Sequence, residues 1–141
     1  MTFLTMSKSF YNKDLTINSS VENLTYIEKE IETIFDSFNF SEEHFGNVLI
    51  AVTEAFNNAV HYGNAEDVTK SVNISFRSEE DSLIVVVKDQ GIGFDYDSLP
   101  DPTDPDNLEK LQGRGIYLMR HLSDTISYSD NGSKVELTFN F

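Results

Sequence analysis

Residues 52–64, VTEAFNNAVHYGN, place a carboxylate and adjacent amides inside a segment otherwise rich in Ala, Val and Phe. Glu54 and Asn58 are four residues apart, so on a helix their side chains are neighbours on one face. Asparagine is a poor helix former, which indicates a task beyond meeting solvent. An amide oxygen suits a hard cation such as Mg²⁺, and a nearby carboxylate can deprotonate a hydroxyl. An ordinary solvated face is the alternative.

A second polar group stands where a predicted buried strand ends. The run SLIVVVKD is rich in β-branched residues, and its last residue, Asp89, opens the motif DQGIGF. Gly91 and Gly93 permit positive φ angles and a close approach of the backbone to a ligand. A carboxylate held here can accept a hydrogen bond from an exocyclic amine such as that of adenine. A glycine turn with a supporting aspartate is the alternative.

Two glycines and two cations precede the next predicted helix. Gly113 and Gly115, in GRGI, stand directly before a helix predicted over 116–124. Unpaired N–H groups at a helix N-terminus, with no Cβ in the way, suit a phosphate. Lys110 and Arg114 flank these glycines and supply positive charge in a very acidic chain. Solvated basic residues in a loop are the alternative.

Other chemical signatures are not found in the sequence. It has neither G-x-x-x-x-G-K-[ST] nor G-x-G-x-x-G after a strand, and no serine-hydrolase elbow. The absence of cysteine excludes thiolate metal sites and a cysteine nucleophile. His44, His61 and His121 do not have the spacing of a zinc site, so we expect structural or surface roles for them.

The elements that must position these residues begin with a strand and a helix. Residues 8–18 alternate loosely and predict an edge strand. Ser19 or Ser20 is a suitable N-cap for the following helix, and Glu22 and Glu30 are expected on its polar faces. The apolar residues at helical spacing are Leu24, Ile27, Ile31, Ile34 and Phe38.

A second helix carries the Glu54–Asn58 pair. Ser41 is a good N-cap for it, and the two glutamates that follow suit the positive end of the helix dipole. We expect this helix to run to Gly63, a plausible C′ residue.

Hairpin patterns fill most of the rest of the chain. Residues 71–78 and 82–89 predict two strands joined by a turn at EED, and Asn131-Gly132 predicts a second hairpin that closes the chain. Between them lies a long loop with all three prolines, and a loop of this length is usually functional or disordered. Hairpins with a few helices indicate an α+β fold, a mostly antiparallel sheet with helices on one face.

Composition restricts the class of protein. A chain of 141 residues with 39% hydrophobic residues is long enough for one globular domain. No signal peptide or membrane-spanning run is present, so a soluble, cytoplasmic protein is expected. The net charge of −14 repels phosphates and anionic lipid, so neither nucleic acid nor a membrane is an expected partner. An anionic substrate would need a bound cation.

The three motifs occur in a specific order: E-x-x-x-N on a helix, D-x-G-x-G after a strand, and G-x-G at a helix after a long loop. This combination resembles the ATPase superfamily of gyrase, histidine kinases and mismatch-repair proteins, the Bergerat fold. The short chain and the run GRGIYLMRHLSD are similar to the anti-sigma-factor serine kinases of bacterial partner-switching systems. The resemblance covers essentially the whole chain, 1–141. It implies a two-layer α/β sandwich that binds ATP under a lid formed by about residues 95–112.

The resemblance also implies roles for the polar residues. Asn58 would coordinate Mg²⁺ and Glu54 would be the general base. Asp89 would hold the adenine amine, in a pocket shaped by Gly91 and Gly93.

The remaining implied roles concern the phosphates and the far side of adenine. Gly113 and Gly115 would let the lid and the helix end reach the phosphates, and either Lys110 or Arg114 would meet the γ-phosphate. Ser133 stands where the family often has a threonine near adenine. The chain departs from many relatives in having Tyr62 where they have histidine, with His61 one place earlier.

The implied activity is transfer of the γ-phosphoryl group of MgATP to a serine or threonine of an anti-sigma-factor antagonist. Such a kinase also sequesters a sigma factor, usually as a homodimer. One alternative is a nucleotide-dependent binding module without transfer. Another is a detached histidine-kinase ATPase domain, which is disfavoured because no dimerisation helix with a phosphorylatable histidine precedes the domain.

Overall fold

The computed structural model describes residues 10–93 and 111–141, with the side chains of 111–113 excepted. In chain order the strands and helices are β1 Phe10–Asn18, α1 Leu24–Phe38, α2 Phe45–Asn58, β2 Ser71–Glu79, β3 Ser82–Lys88, α3 Leu111–Leu122, β4 Thr125–Ser129 and β5 Lys134–Asn140. The predicted lid, 95–112, lies outside the described residues except for 111 and 112, which begin α3.

The described strands form one sheet in the order β1-β2-β3-β5-β4, and all four pairings are antiparallel. The predicted α+β class, the edge position of β1 and the two hairpins are confirmed. Strand alternation turns one side of the sheet toward the core. Across the centre of that side, Val85 pairs with Phe76 on β2 and Leu137 on β5, and all three are buried.

The helices bury their apolar stripes in the same core as that side of the sheet. On α1, Ile27, Ile31 and Ile34 are fully buried, as their helical spacing predicts. On α2, Val48 and Phe56 are buried in the same way, which turns the stripe with Glu54 and Asn58 away from the centre of the core. The described part of the chain contains no helix with both the length and the apolar character needed to cross a membrane.

Glu30 is a correction to the predicted polar face of α1. Its side chain is buried, where it accepts a hydrogen bond from the Tyr11 hydroxyl at 2.9 Å and lies 3.7 Å from the Lys13 ammonium. The reason is tertiary: β1 packs over this part of α1, so a position that is polar by helical spacing becomes a contact between two elements.

The helix starts and ends also differ from prediction. Ser20 and Ser41 do act as caps, but each caps a short 3₁₀ turn that precedes its helix. The α2 helix continues into a π-helical turn, Ala59–Gly63, so the helical segment does run to Gly63, but Gly63 is its last helical residue and not the predicted C′ residue. The left-handed backbone comes two and three residues later, at Ala65 and Glu66, with φ of 51° and 61°. Gly63 is needed for a close contact instead.

Candidate nucleotide site

The Glu54–Asn58 pair of α2 lies against the first turns of α3. A Cβ atom added to Gly115 would lie 2.9 Å from Glu54 Oε2 and 3.3 Å from Asn58 Nδ2. The sequence predicted Gly113 and Gly115 directly before the helix. This prediction is wrong, because α3 already begins at Leu111 and both glycines lie inside it. Gly115 therefore serves a close packing of α3 on two polar side chains.

The carboxylate of Glu54 is partly removed from solvent. The packing of α2 against α3 takes water from its carboxylate, and this burial raises the pKa of Glu54 above the ordinary glutamate value. A carboxyl group with a raised pKa is a stronger base than an exposed glutamate.

Asn58 has bonding capacity that the described residues do not use. Its Nδ2 atom is buried and has no hydrogen-bond partner among them, and the same holds for Oδ1 of the neighbouring Asn57. Buried polar atoms without partners are costly and typically mark a place where an ion, a ligand or water binds. The unpartnered Nδ2 is a donor, which suits an anionic ligand or water, whereas Mg²⁺ prefers oxygen ligands and would bind the Oδ1 atom of the same amide.

Such a metal would rely on more than protein ligands. No group of three or more histidine, aspartate or glutamate side chains that could hold an ion occurs in the described ranges. Mg²⁺ commonly takes one or two protein ligands and completes its coordination with water and substrate phosphates. The donor set around Asn58 matches that pattern.

A second group of residues meets where the end of α2 touches the turn after β3. A Cβ on Gly63 would lie 2.1 Å from Asp89 Oδ2, and a Cβ on Gly91 would lie 1.9 Å from the carbonyl oxygen of Gly63. Only glycine fits at either position. The Asp89 carboxylate accepts the Gly91 N–H at 2.7 Å, which fixes its orientation.

The surroundings of Asp89 act on its pKa in opposite directions. Burial raises the pKa of Asp89, while the Gly91 N–H and the positive charge of Lys70 act in the opposite direction. The carboxylate is therefore a partly desolvated acceptor at the base of a pocket, as a buried hydrogen bond to an amine requires.

The β4–β5 hairpin closes this pocket from the other side. Gly93 has a φ of 88°, and a Cβ there would lie 2.0 Å from the carbonyl oxygen of Asn131. Ser133 is buried, its hydroxyl donates to the Asp130 carbonyl at 2.9 Å, and its own carbonyl accepts the Asp89 N–H at 2.9 Å. The turn thus holds Asp89 and Ser133 side by side.

Two pockets share a wall. The inner pocket is lined by Asp89, Gly93 and Ser133 together with Asn58, Tyr62 and apolar residues, among them Val87, Met119 and Tyr128. The outer pocket is lined by Glu54, Arg114 and Gly115, again with Asn58 and Tyr62, and by His61, Glu66 and Leu118. Because Asn58 and Tyr62 line both, a ligand in the inner pocket would extend past Asn58 toward Glu54.

The structure brings together most of the residues selected from sequence. Lys110 lies outside the described residues, and Gly113 is placed only as a helical residue of α3. Residues not selected include Met119 and Tyr128, whose alternating or helical spacing marks them only as core. Burial raises the pKa of Tyr128 to about 12, against the opposing charge of Arg120, so its phenol stays neutral near neutral pH.

Residues 17–139 match the family described as histidine kinase-like ATPase domain, and the chain belongs to that family. Among individual proteins, it is similar to the serine-protein kinase RsbW of Bacillus cereus, with 28% identity over 94% of this chain and 87% of the relative. It is also similar to the serine-protein kinase RsbW of Staphylococcus aureus, with 26% identity over 89% of this chain and 84% of the relative.

A solved structure shares the fold. It contains the RsbU and RsbW domains of Rv1364c from Mycobacterium tuberculosis and superposes with a TM-score of 0.61 at 12% identity, over 92% of this chain. This chain spans 32% of the length of that longer chain. At this identity the likeness shows the fold alone.

Proposed function

We propose that this chain is a MgATP-dependent serine/threonine protein kinase that also binds a sigma factor, acting in the cytoplasm as a homodimer. Its protein substrate would be an anti-sigma-factor antagonist, as in partner-switching systems. The whole chain, 1–141, would act as one domain with a lid at about 95–112. The observation that carries the proposal is the buried Asn58 Nδ2 atom, which has no hydrogen-bond partner among the described residues and lies between the Asp89 pocket and the Glu54 carboxylate.

The geometry supports a division of labour between the two pockets. The inner pocket would take adenine, with its amine on Asp89 and Ser133 nearby. The phosphates would pass Asn58 and Gly115 toward Arg114, whose charge offsets theirs. Mg²⁺, when bound, would neutralise phosphate charge, and Asn58 is the residue that would hold it.

Glu54 would act on the acceptor in the outer pocket. It accepts the proton of the serine hydroxyl while the serine oxygen forms a bond to the γ-phosphorus. The bond from that phosphorus to the bridging oxygen of ADP breaks, and ADP keeps the electron pair. Glu54 then releases the proton to solvent. Positioning and charge neutralisation supply most of the rate in transfers of this kind.

The test of nucleotide binding is thermal unfolding of wild type and Asn58→Ala, with and without ATP and with and without Mg²⁺. A ligand at about 100 times its Kd adds roughly 2.7 kcal/mol, worth several degrees in a domain of this size. We expect a Mg²⁺-dependent rise in wild type that Asn58→Ala loses. Asn47→Ala is the matched control, because Asn47 is an exposed amide on the same helix.

The test of transfer is incubation with [γ-³²P]ATP and candidate antagonist proteins, followed by phosphoamino-acid analysis. Acid-stable label on serine or threonine is expected. ATP binding without transfer to any candidate would favour the binding module, and acid-labile label would favour histidine phosphorylation. No stabilisation of wild type by MgATP would overturn the proposal.

A further inference from the structure

Asn64 follows the π-helical turn at the end of α2 and is fully buried. Its Nδ2 donates to the Ser71 carbonyl at 3.0 Å, and its Oδ1 accepts the Gln90 N–H at 2.7 Å. One amide therefore joins the end of α2 both to the start of β2 and to the turn after β3. The contact to Gln90 is long-range, because Gln90 lies 26 residues away in the sequence.

The bond to Gln90 acts on the inner pocket directly. The Gln90 N–H belongs to the peptide group that links Gln90 to Asp89, so fixing it fixes the backbone from which the Asp89 carboxylate projects. The residue before Asn64 is Gly63, whose backbone packs on Asp89 and Gly91 at distances that exclude a Cβ. Asn64 thus holds together the two segments that form the base of this pocket.

A second bond closes the network. The side-chain oxygen of Gln90 accepts a hydrogen bond from the Ser71 N–H at 2.7 Å. Ser71 and Gln90 are therefore joined both directly and through Asn64. The backbone just after Asn64 is strained, since Ala65 and Glu66 are consecutive left-handed residues and neither is glycine. Left-handed backbone at residues other than glycine is strained and persists where surrounding contacts compensate.

We propose that Asn64 is a positioning residue for base recognition, which holds Asp89 in place through the Asp89–Gln90 peptide group. The inference rests on the proposed ATP site. Loss of the Asn64 amide lets Asp89 shift, which weakens the contact to the adenine amine and leaves the phosphate contacts at Asn58 and Arg114 intact. Base selectivity then falls more than phosphate affinity.

The experiment measures Kd values of wild type, Asn64→Ala and Gln90→Ala for ATP, GTP and inorganic tripolyphosphate, each with Mg²⁺. We expect Asn64→Ala to bind ATP about tenfold more weakly, a change of about 1.4 kcal/mol, with a lower ATP-to-GTP preference. Tripolyphosphate affinity should stay within about twofold. Gln90→Ala removes only the exposed half of the network and should show a smaller loss of the same kind.

Asn73→Ala is the matched control. Asn73 also joins two segments through its amide, donating to Leu15 O at 3.3 Å and Thr16 Oγ1 at 3.0 Å, but it lies between β1 and β2. Its ATP-to-GTP preference should equal that of wild type. An unchanged preference in folded Asn64→Ala, or an equal loss for ATP and tripolyphosphate, overturns the inference.

Two further outcomes are separable. If Asn64→Ala does not fold, Gln90→Ala carries the test, and a wild-type preference in that variant overturns the inference. If wild type binds no MgATP, the proposed function fails and this inference fails with it. If wild type binds MgATP and the variants keep its preference, only this inference fails.

Discussion

Glu54 lies against the backbone of a neighbouring helix, and this placement sets the pH range of the chemistry proposed for it. A general base must be ionised, and burial raises the pKa of Glu54. We expect the rate of transfer from MgATP to rise with pH as Glu54 ionises. This rise should occur at a higher pH than the ordinary glutamate pKa of about 4.3 would give. The measurement is the pH dependence of kcat for transfer.

The matched variant is Glu54→Gln, which keeps the shape of the side chain and removes the base. Its rate should be lower by about 10²-fold or more, and the rise with pH should disappear. A rise that persists in Glu54→Gln would show that another group is responsible.

Substitution of Gly115 by alanine should impair MgATP binding and transfer without destabilising the fold. Alanine is favoured over glycine in a helix by about 1 kcal/mol, so Gly115→Ala should not lower the melting temperature. Its Cβ would crowd Glu54 Oε2 at 2.9 Å, so MgATP affinity and transfer should both fall. The measurements are thermal unfolding and the ATP Kd of the same preparation.

Gly46→Ala provides the comparison. Gly46 lies in α2, and a Cβ there would have no atom within 4 Å. It should gain stability and leave ATP binding unchanged. Equal ATP affinity in both variants would contradict the proposed role of the Gly115 contact.

Single residues were predictable where their chemistry is unusual for their element. Asn58 and Asp89 stand out in the sequence because an amide on a helix and a carboxylate before glycines are uncommon. Asn64 gave no such signal, since an asparagine after a glycine is typical of any turn. Its importance comes from Ser71 and Gln90, and no local pattern reveals contacts across 26 residues.

At the scale of elements, the contact between β1 and α1 depends on one buried carboxylate. Burial and the adjacent Glu30 raise the pKa of Tyr11 to about 12, and its hydroxyl donates to Glu30. Tyr11→Phe removes that donor, so we expect a loss of about 1–3 kcal/mol in the free energy of unfolding, measured by urea denaturation. Tyr26→Phe on the exposed side of α1 is the control.

The hydrogen bond between Tyr11 and Glu30 should also make the stability of the fold decrease at alkaline pH. The pKa of Tyr11 is higher in the folded state than its unfolded value of 10.0, so the stability it contributes is complete below pH 10. That contribution is lost as pH rises from 10 toward about 12. In Tyr11→Phe, the fall in stability over this range should be smaller than in wild type. An equal fall in both proteins would assign the effect to other groups.

The elements themselves were predictable because their hydrophobic periods are regular. In the strand predicted over 71–78, alternation puts Val72, Ile74 and Phe76 on one face, and all three are buried. The predicted helix boundaries are wrong at the π-helical turn and at the start of α3, because hydrophobic periodicity does not determine where a helix begins or ends. Glycines look like breaks in a helix, yet Gly115 is placed there by the packing of α3 on α2, which is a tertiary requirement.

At the scale of the whole molecule, a net charge of −14 opposes the compact state by self-repulsion. The Debye length falls from about 30 Å at 0.01 M salt to about 8 Å at 0.15 M. We therefore expect the melting temperature to rise by a few degrees between these salt concentrations, measured without nucleotide. KCl and NaCl should act equally, because screening does not depend on the cation. A melting temperature that falls with salt would mean that attractive ion pairs dominate.

The backbone contact between Gly63 and Gly91 also bears on the redesign of the inner pocket. Gly63 and Gly91 have no side chain to shorten, so substitution at these two positions cannot make the pocket larger. The same pocket is also lined by Val87, Met119 and Tyr128, whose side chains can be shortened. If the pocket holds adenine, a variant that accepts an ATP analogue with an enlarged base is to be sought at such positions and not at Gly63 or Gly91. Such an engineered pair would let the phosphorylation targets of this one protein be labelled among all others in a cell.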